Sequence, residues 1–126
     1  MLKNKIQSGF SLIELMVVIA ILGVVTAVAI PSYKGYVSSA RLTEAKNNIA
    51  ALKIAEEEYF LENNAYFYNN TSNTDLASAS GGLWSAQAGD GGVNFNYTVT
   101  GSGNSYTITA TGTGKAAGLN DSYNKN

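Results

Sequence analysis

The chain has 126 residues, with eight Lys and Arg against nine Asp and Glu, no histidine and no cysteine. The missing cysteines exclude a disulfide-stapled fold, and the missing histidines exclude imidazole acid–base chemistry, Ser-His-Asp and Cys-His nucleophile sets and His-ligated metal sites. The near-neutral charge balance, without any long basic run, leaves no electrostatic footprint for nucleic acid.

The first element is a short basic stretch, residues 1–9, carrying Lys3 and Lys5 and closing on Gly9. It is followed by FSLIELMVVIAILGVVTAVAIP at residues 10–31, which has a single acid, Glu14, near its start. From Leu15 to Tyr33 the chain carries no charge over 19 residues. As a helix rising about 1.5 Å per residue, such a stretch spans the hydrocarbon of a bilayer. Lys3 and Lys5 keep the short N-terminal side in the cytoplasm by the positive-inside rule, so the domain from Ser38 onward faces outward. An ordinary signal peptide is cut after its apolar region, at small residues. Here the candidate junction, Gly9-Phe10, precedes that region, so cleavage there retains the helix. Glu14 is the residue that a simple anchor does not need. A carboxylate in or near lipid is unfavourable by up to about 2.5–3.5 kcal/mol when deeply placed, and such groups are functional candidates.

GFSLIE at residues 9–14, the apolar run behind it and Pro31 together resemble the type IV pilin and pseudopilin family. The resemblance is close over roughly the first half of the chain and one of general layout beyond it. It implies an α+β fold: a long N-terminal helix, half transmembrane and half amphipathic, packed on a small antiparallel sheet. It implies a leader, residues 1–9, removed by a prepilin peptidase between Gly9 and Phe10, and N-methylation of Phe10. It assigns residues 10–31 to the membrane and filament core, and residues 32–126 to the amphipathic half-helix, a connecting loop and a β domain. It gives Glu14 the role of attracting the N-terminal amine of a neighbouring subunit during assembly; pairing within its own chain is the alternative. The implied partners are further copies in a helical filament, the inner membrane before assembly, the prepilin peptidase, an assembly ATPase with its platform protein, and a secretin. The implied location is the bacterial inner membrane, then an extracellular filament. No cofactor, metal or catalytic set is implied.

The helix is expected to continue past Pro31 to about Asn63, with bends at Pro31 and Gly23, because good helix formers follow the proline and the apolar spacing resumes. Leu42, Ala45, Ile49, Leu52 and Tyr59 form a stripe at steps of three and four, interrupted by Glu56. Ile54 and Leu61 lie off it, on a face free for a second partner. Glu56, Glu57, Glu58 and Glu62 read as a solvated acidic face, with a salt-bridge surface to a neighbouring subunit as the alternative. Tyr33 and Tyr36 suit a membrane interface, whereas Phe10, Tyr59 and Phe60 read as core. Asn63-Asn64 ends the helix, since Asn tolerates the left-handed cap conformation.

Residues 65–92 read as a long connection with local structure of its own, pinned by Tyr66, Phe67, Tyr68 and Trp84. Asp90, in GDGG, lacks the spaced carboxylates of a calcium loop. Phe95, Tyr97 and Val99, then Tyr106, Ile108 and Ala110, alternate with Asn and Thr on either side of a turn at residues 101–104. This predicts an antiparallel hairpin whose apolar face lies on the helix. Residues 119–123 are assigned a short further strand. The sequons at Asn69, Asn70, Asn96 and Asn120 read as surface polarity in an Asn- and Thr-rich chain.

These readings converge on a structural, non-enzymatic subunit of a type IV pilus serving adhesion, twitching motility or DNA uptake. Two alternatives stand beside it. A pseudopilin of a type II secretion system shares the N-terminal signature, but the chain lacks the combination of Asp with Trp-Gly in its C-terminal region that such subunits often carry. A non-polymerising, signal-anchored surface domain needs neither cleavage at Gly9-Phe10 nor Glu14.

Overall fold

The computed structural model describes residues 9–89 and 92–126. The basic stretch with Lys3 and Lys5, and the Asp90 considered for a calcium loop, lie outside the described residues. The order of elements is α1 (Leu12–Asn63), α2 (Asn73–Ala79), β1 (Phe95–Ser102), β2 (Ser105–Gly112), a 3-10 turn (Gly114–Ala116) and β3 (Asn120–Lys125). Two compact units result, Met1–Tyr36 and Val37–Asn126, and α1 contributes to both.

In the first unit, α1 runs as assigned helix through both Gly23 and Pro31. Pro31 has no N–H to offer the carbonyl one turn earlier. Side-chain hydroxyls on this stretch turn back onto the backbone: Ser32 Oγ donates to the Val28 carbonyl at 3.2 Å, and Thr26 Oγ1 to that of Leu22 at 2.7 Å. Every described residue from Gly9 to Tyr36 is exposed. This includes Phe10, at 91%, so the reading of Phe10 as core does not hold within a single chain.

In the second unit, the apolar stripe of α1 lies on the sheet. Ala45, Ile49, Leu52 and Ala55 are buried with Phe95, Tyr97 and Val99 of β1 and Tyr106, Ile108 and Ala110 of β2. Tyr59 and Phe60 pack against this core from its edge. The sheet is antiparallel in the order β1-β2-β3. Tyr97 pairs with Ala110 and Val99 with Ile108, which keeps the alternating apolar residues of both strands on one face. The strands run on to Ser102 and Ser105, so the turn is tighter than residues 101–104. Gly103, with φ of 60°, is the first of its two central residues, where a hairpin turn needs a positive φ. Gly112 is required by close approach: a Cβ there would collide with the Ala116 and Leu119 carbonyls. β3 extends from Asn120 to Lys125, two residues beyond the expected strand.

The connection after α1 opens at Asn64, whose φ of 56° supplies the left-handed stop. Tyr66, Phe67 and Trp84 are buried, as expected of pinning residues. Between them sits α2, capped by Ser72, whose side chain accepts from the Asp75 amide. Residues 69–73 also cover the outer edge of β1. The Asn69 and Asn70 amides donate to the Val99 carbonyl, while the Asn73 side chain accepts from the Tyr97 amide at 2.8 Å and donates to the Phe95 carbonyl at 3.0 Å. An otherwise open strand edge is thereby satisfied.

Glu56 departs from the solvated face expected of the acidic run. It is fully buried, on the same stripe as Leu52 and Ala45. One carboxyl oxygen accepts the Phe67 amide at 3.1 Å, and the other is buried without a partner among the described residues. Burial pushes its pKa up to about 8; the Phe67 hydrogen bond opposes that shift, Glu57 adds to it, and Lys125 opposes it. The folded state therefore holds a proton that the unfolded chain releases near pH 4.5, and stability falls as pH rises from about 4.5 to about 8. Glu56→Gln keeps the acceptor and removes the titration. Thermal unfolding of the detergent-solubilised chain from pH 5 to pH 9 should show a falling midpoint for the parent and a flatter profile for Glu56→Gln. Parallel profiles would contradict the burial of an ionisable carboxyl here.

Candidate functional site

The residues singled out at the N-terminus are Gly9, Phe10 and Glu14. Gly9, Phe10 and Ser11 precede α1, which begins at Leu12. Ser11 and Glu14 make a reciprocal pair: the Glu14 amide donates to Ser11 Oγ at 3.2 Å, and the Ser11 amide donates to Glu14 Oε2 at 3.0 Å. This is a capping box, in which two amides left without helical partners find side-chain acceptors. The Ser-x-x-Glu spacing carries that signal within SLIE, although the charge of the glutamate alone does not point to it. Ser11 is the capping side chain that charge does not reveal. Glu14 also sits in the first turn, where the helix dipole favours an anion. Glu14 Oε1 accepts no hydrogen bond among the described residues, so the carboxylate retains capacity for an external cation.

Among the described residues, nothing demands the glycines of this segment. A Cβ at Gly9 or at Gly23 would meet no described atom within 4 Å. Beyond Glu14 the helix presents Leu15, Met16, Val17, Val18, Ile19, Ile21 and Leu22 outward, all about half exposed or more. It is, among the described residues, the one helix long and apolar enough to cross a membrane.

Two sequence comparisons bear on this arrangement. Residues 4–30 match the prokaryotic N-terminal methylation motif. Residues 31–122 match the family described as type IV minor pilin ComP, DNA uptake sequence receptor. The chain belongs to this type IV pilin family. Similar curated proteins are the type IV major pilin protein PilE1 of Neisseria gonorrhoeae, 46% identical over 69 residues, and a fimbrial protein of Pseudomonas aeruginosa, 48% identical over 58 residues. The first alignment covers 55% of this chain and 42% of the relative, the second 46% and 38%. Fimbrial protein EcpC of Eikenella corrodens is 37% identical over 78 residues, 62% of this chain and 51% of that protein. The pilin thus spans about half or less of the length of the curated relatives it matches. No solved structure gives a significant match.

A second polar constellation of the pilin lies in the unit Val37–Asn126. The Lys125 ammonium, on β3, contacts the Glu57 carboxylate and the Tyr66 hydroxyl, and lies 4.5 Å from the centre of the Tyr66 ring. The Glu57 and Tyr66 bonds hold the Lys125 pKa above its ordinary range. Lys53 sits 3.9 Å over the Tyr123 ring. Two cations thereby fasten the last strand to α1. Tyr66 stacks on Phe60 at 4.6 Å and meets Tyr106 at 5.0 Å. The cluster ties chain segments together.

The capping box gives a local prediction. Removing a capping hydroxyl costs about 1 kcal/mol, or roughly fivefold in local opening. Ser11→Ala should therefore speed hydrogen exchange of the amides at residues 12–15 by about that factor, while Ser11→Thr retains protection. Equal exchange in parent and Ala variant would contradict the capping role.

Proposed function

We propose that this pilin is a structural subunit of a type IV pilus, held in the inner membrane and polymerised through the apolar part of α1. The observation that carries the reading is the wholly exposed apolar surface of residues 10–30, with the Glu14 carboxylate near its start, within a methylation motif. Lipid covers that surface before assembly, and neighbouring helices cover it afterwards. In this reading a prepilin peptidase cuts between Gly9 and Phe10 and methylates the new terminus, with the N-terminal side cytoplasmic. Bends at Pro31 and Gly23 fit the helix among its neighbours. An assembly ATPase with its platform protein drives extrusion, and a secretin passes the filament where an outer membrane exists.

The remaining capacity of Glu14 supports its pairing with the Phe10 ammonium of a neighbour. A buried carboxylate stripped of its cation, or the reverse, is costly. Of the roles such a filament serves, DNA uptake is the one named in the matched family's description. Here Lys53 and Lys125 are engaged by tyrosine rings and Glu57, and residues 10–126 carry a net charge of −3, so filament building has the broader support.

Glu14→Gln separates charge from capping, since Gln also serves in a capping box. Expressed in the native host, Glu14→Gln and Glu14→Ala should both be processed normally. Both should yield fewer surface filaments, by about tenfold or more. Normal filaments from Glu14→Gln would contradict the charge pairing.

A further inference from the structure

The outward face of α1 in the unit Val37–Asn126 is left uncovered by the sheet. At about 100° per residue, Ala50, Ile54 and Leu61 fall on one line along the helix. Ile54 is 69% and Leu61 85% exposed. The charged residues flanking this apolar line are sorted by sign. Lys46 and Lys53 lie to one side, roughly 80–100° from Ile54, and Glu44, Glu58 and Glu62 lie roughly 40–80° to the other. Glu57, the acid on the basic side, is neutralised by Lys125. Lys53 is taken by Tyr123, and Glu44 by the amide and side chain of Asn94. Lys46, Glu58 and Glu62 remain exposed, with no hydrogen bond or ion pair among the described residues.

We propose that this face docks a second copy of the chain in the same orientation, with Lys46 of one copy against Glu58 and Glu62 of the next. The inference rests on the filament reading and gives it a specific lateral contact. Opposite charge on opposite flanks selects the arrangement. Two copies laid side by side about a two-fold axis bring like flank against like flank. Parallel copies bring basic flank against acidic flank, and the contact repeats without closing, as an open helical array requires. The 12 residues from Lys46 to Glu58 and the 16 to Glu62 set a stagger of about 18–24 Å between neighbours.

The test uses the full chain in its native host. Lys46→Glu alone, and Glu58→Lys with Glu62→Lys, should each reduce sheared surface filaments by about tenfold or more, because like charges then meet. The level of processed subunit in the membrane should stay constant. Combining all three changes should restore filaments. As a check independent of energetics, Lys46→Cys with Glu58→Cys, in a chain without other cysteines, should give a ladder of cross-linked subunits with a short bis-maleimide. Wild-type filament yields from either reversal, no recovery in the combined variant, or only monomer after cross-linking of filaments would overturn the pairing and leave the filament reading standing. If the unaltered chain itself forms no filaments, the filament reading fails, and the pairing with it.

Discussion

The physical constraint on which this molecule depends is the uncovered apolar surface of the first half of α1. Each fully withdrawn Val, Leu or Ile side chain contributes about 1.5–3 kcal/mol, and none of the described residues covers those between Leu12 and Ile30. Water is therefore the wrong surroundings for that segment. Lipid satisfies it, and so do parallel copies of the same helix. Glu14 belongs to the same constraint. Its capping box with Ser11 gives the carboxylate a fixed direction at the helix start and still leaves one oxygen open. A charged group so placed is tolerable at a membrane edge and useful wherever a cation is brought to it.

The unit Val37–Asn126 solves a different problem, the holding of a small three-stranded sheet without disulfides. It does so by tying irregular backbone to α1 through buried polar side chains. Asn48 accepts the Gln87 amide at 2.8 Å with its side chain and the Trp84 indole N–H at 3.3 Å with its carbonyl, and Glu56 accepts the Phe67 amide. Each satisfies a backbone or ring donor that burial would otherwise leave stranded. Lys53 and Lys125 then fasten the edge strand β3 through tyrosine rings. Core packing and polar anchoring thus come from adjacent positions on one helix.

Much of this is legible in the sequence, and the exceptions have physical reasons. The hairpin is legible because Phe95, Tyr97 and Val99 answer Tyr106, Ile108 and Ala110 in strict alternation, which a pleated strand converts directly into one buried face. The left-handed stop at Asn64 and the stripe through Ile49 and Leu52 are local patterns of the same kind. Glu56 is not legible from composition, because it opens an acidic run in the chain while its position on the stripe places it among the buried core residues. Its position on the stripe outweighs its charge, and a raised pKa resolves the conflict. α2 and the covering of β1 by Asn69, Asn70 and Asn73 depend on contacts more than twenty residues apart, which no local pattern encodes. At the N-terminus the residues proposed for cleavage and assembly stand in a motif that the sequence shows, whereas the Ser11–Glu14 capping is legible only once helix-start chemistry is considered beside charge.

The central claim is that the chain is cut between Gly9 and Phe10 and that the retained helix builds an extracellular filament. Mass spectrometry of protein sheared from the cell surface, read at its N-terminus, tests it most directly. The account predicts fibres whose subunits begin at N-methylated Phe10. An intact Met1 terminus, or a Phe10 terminus confined to the membrane fraction, would contradict it.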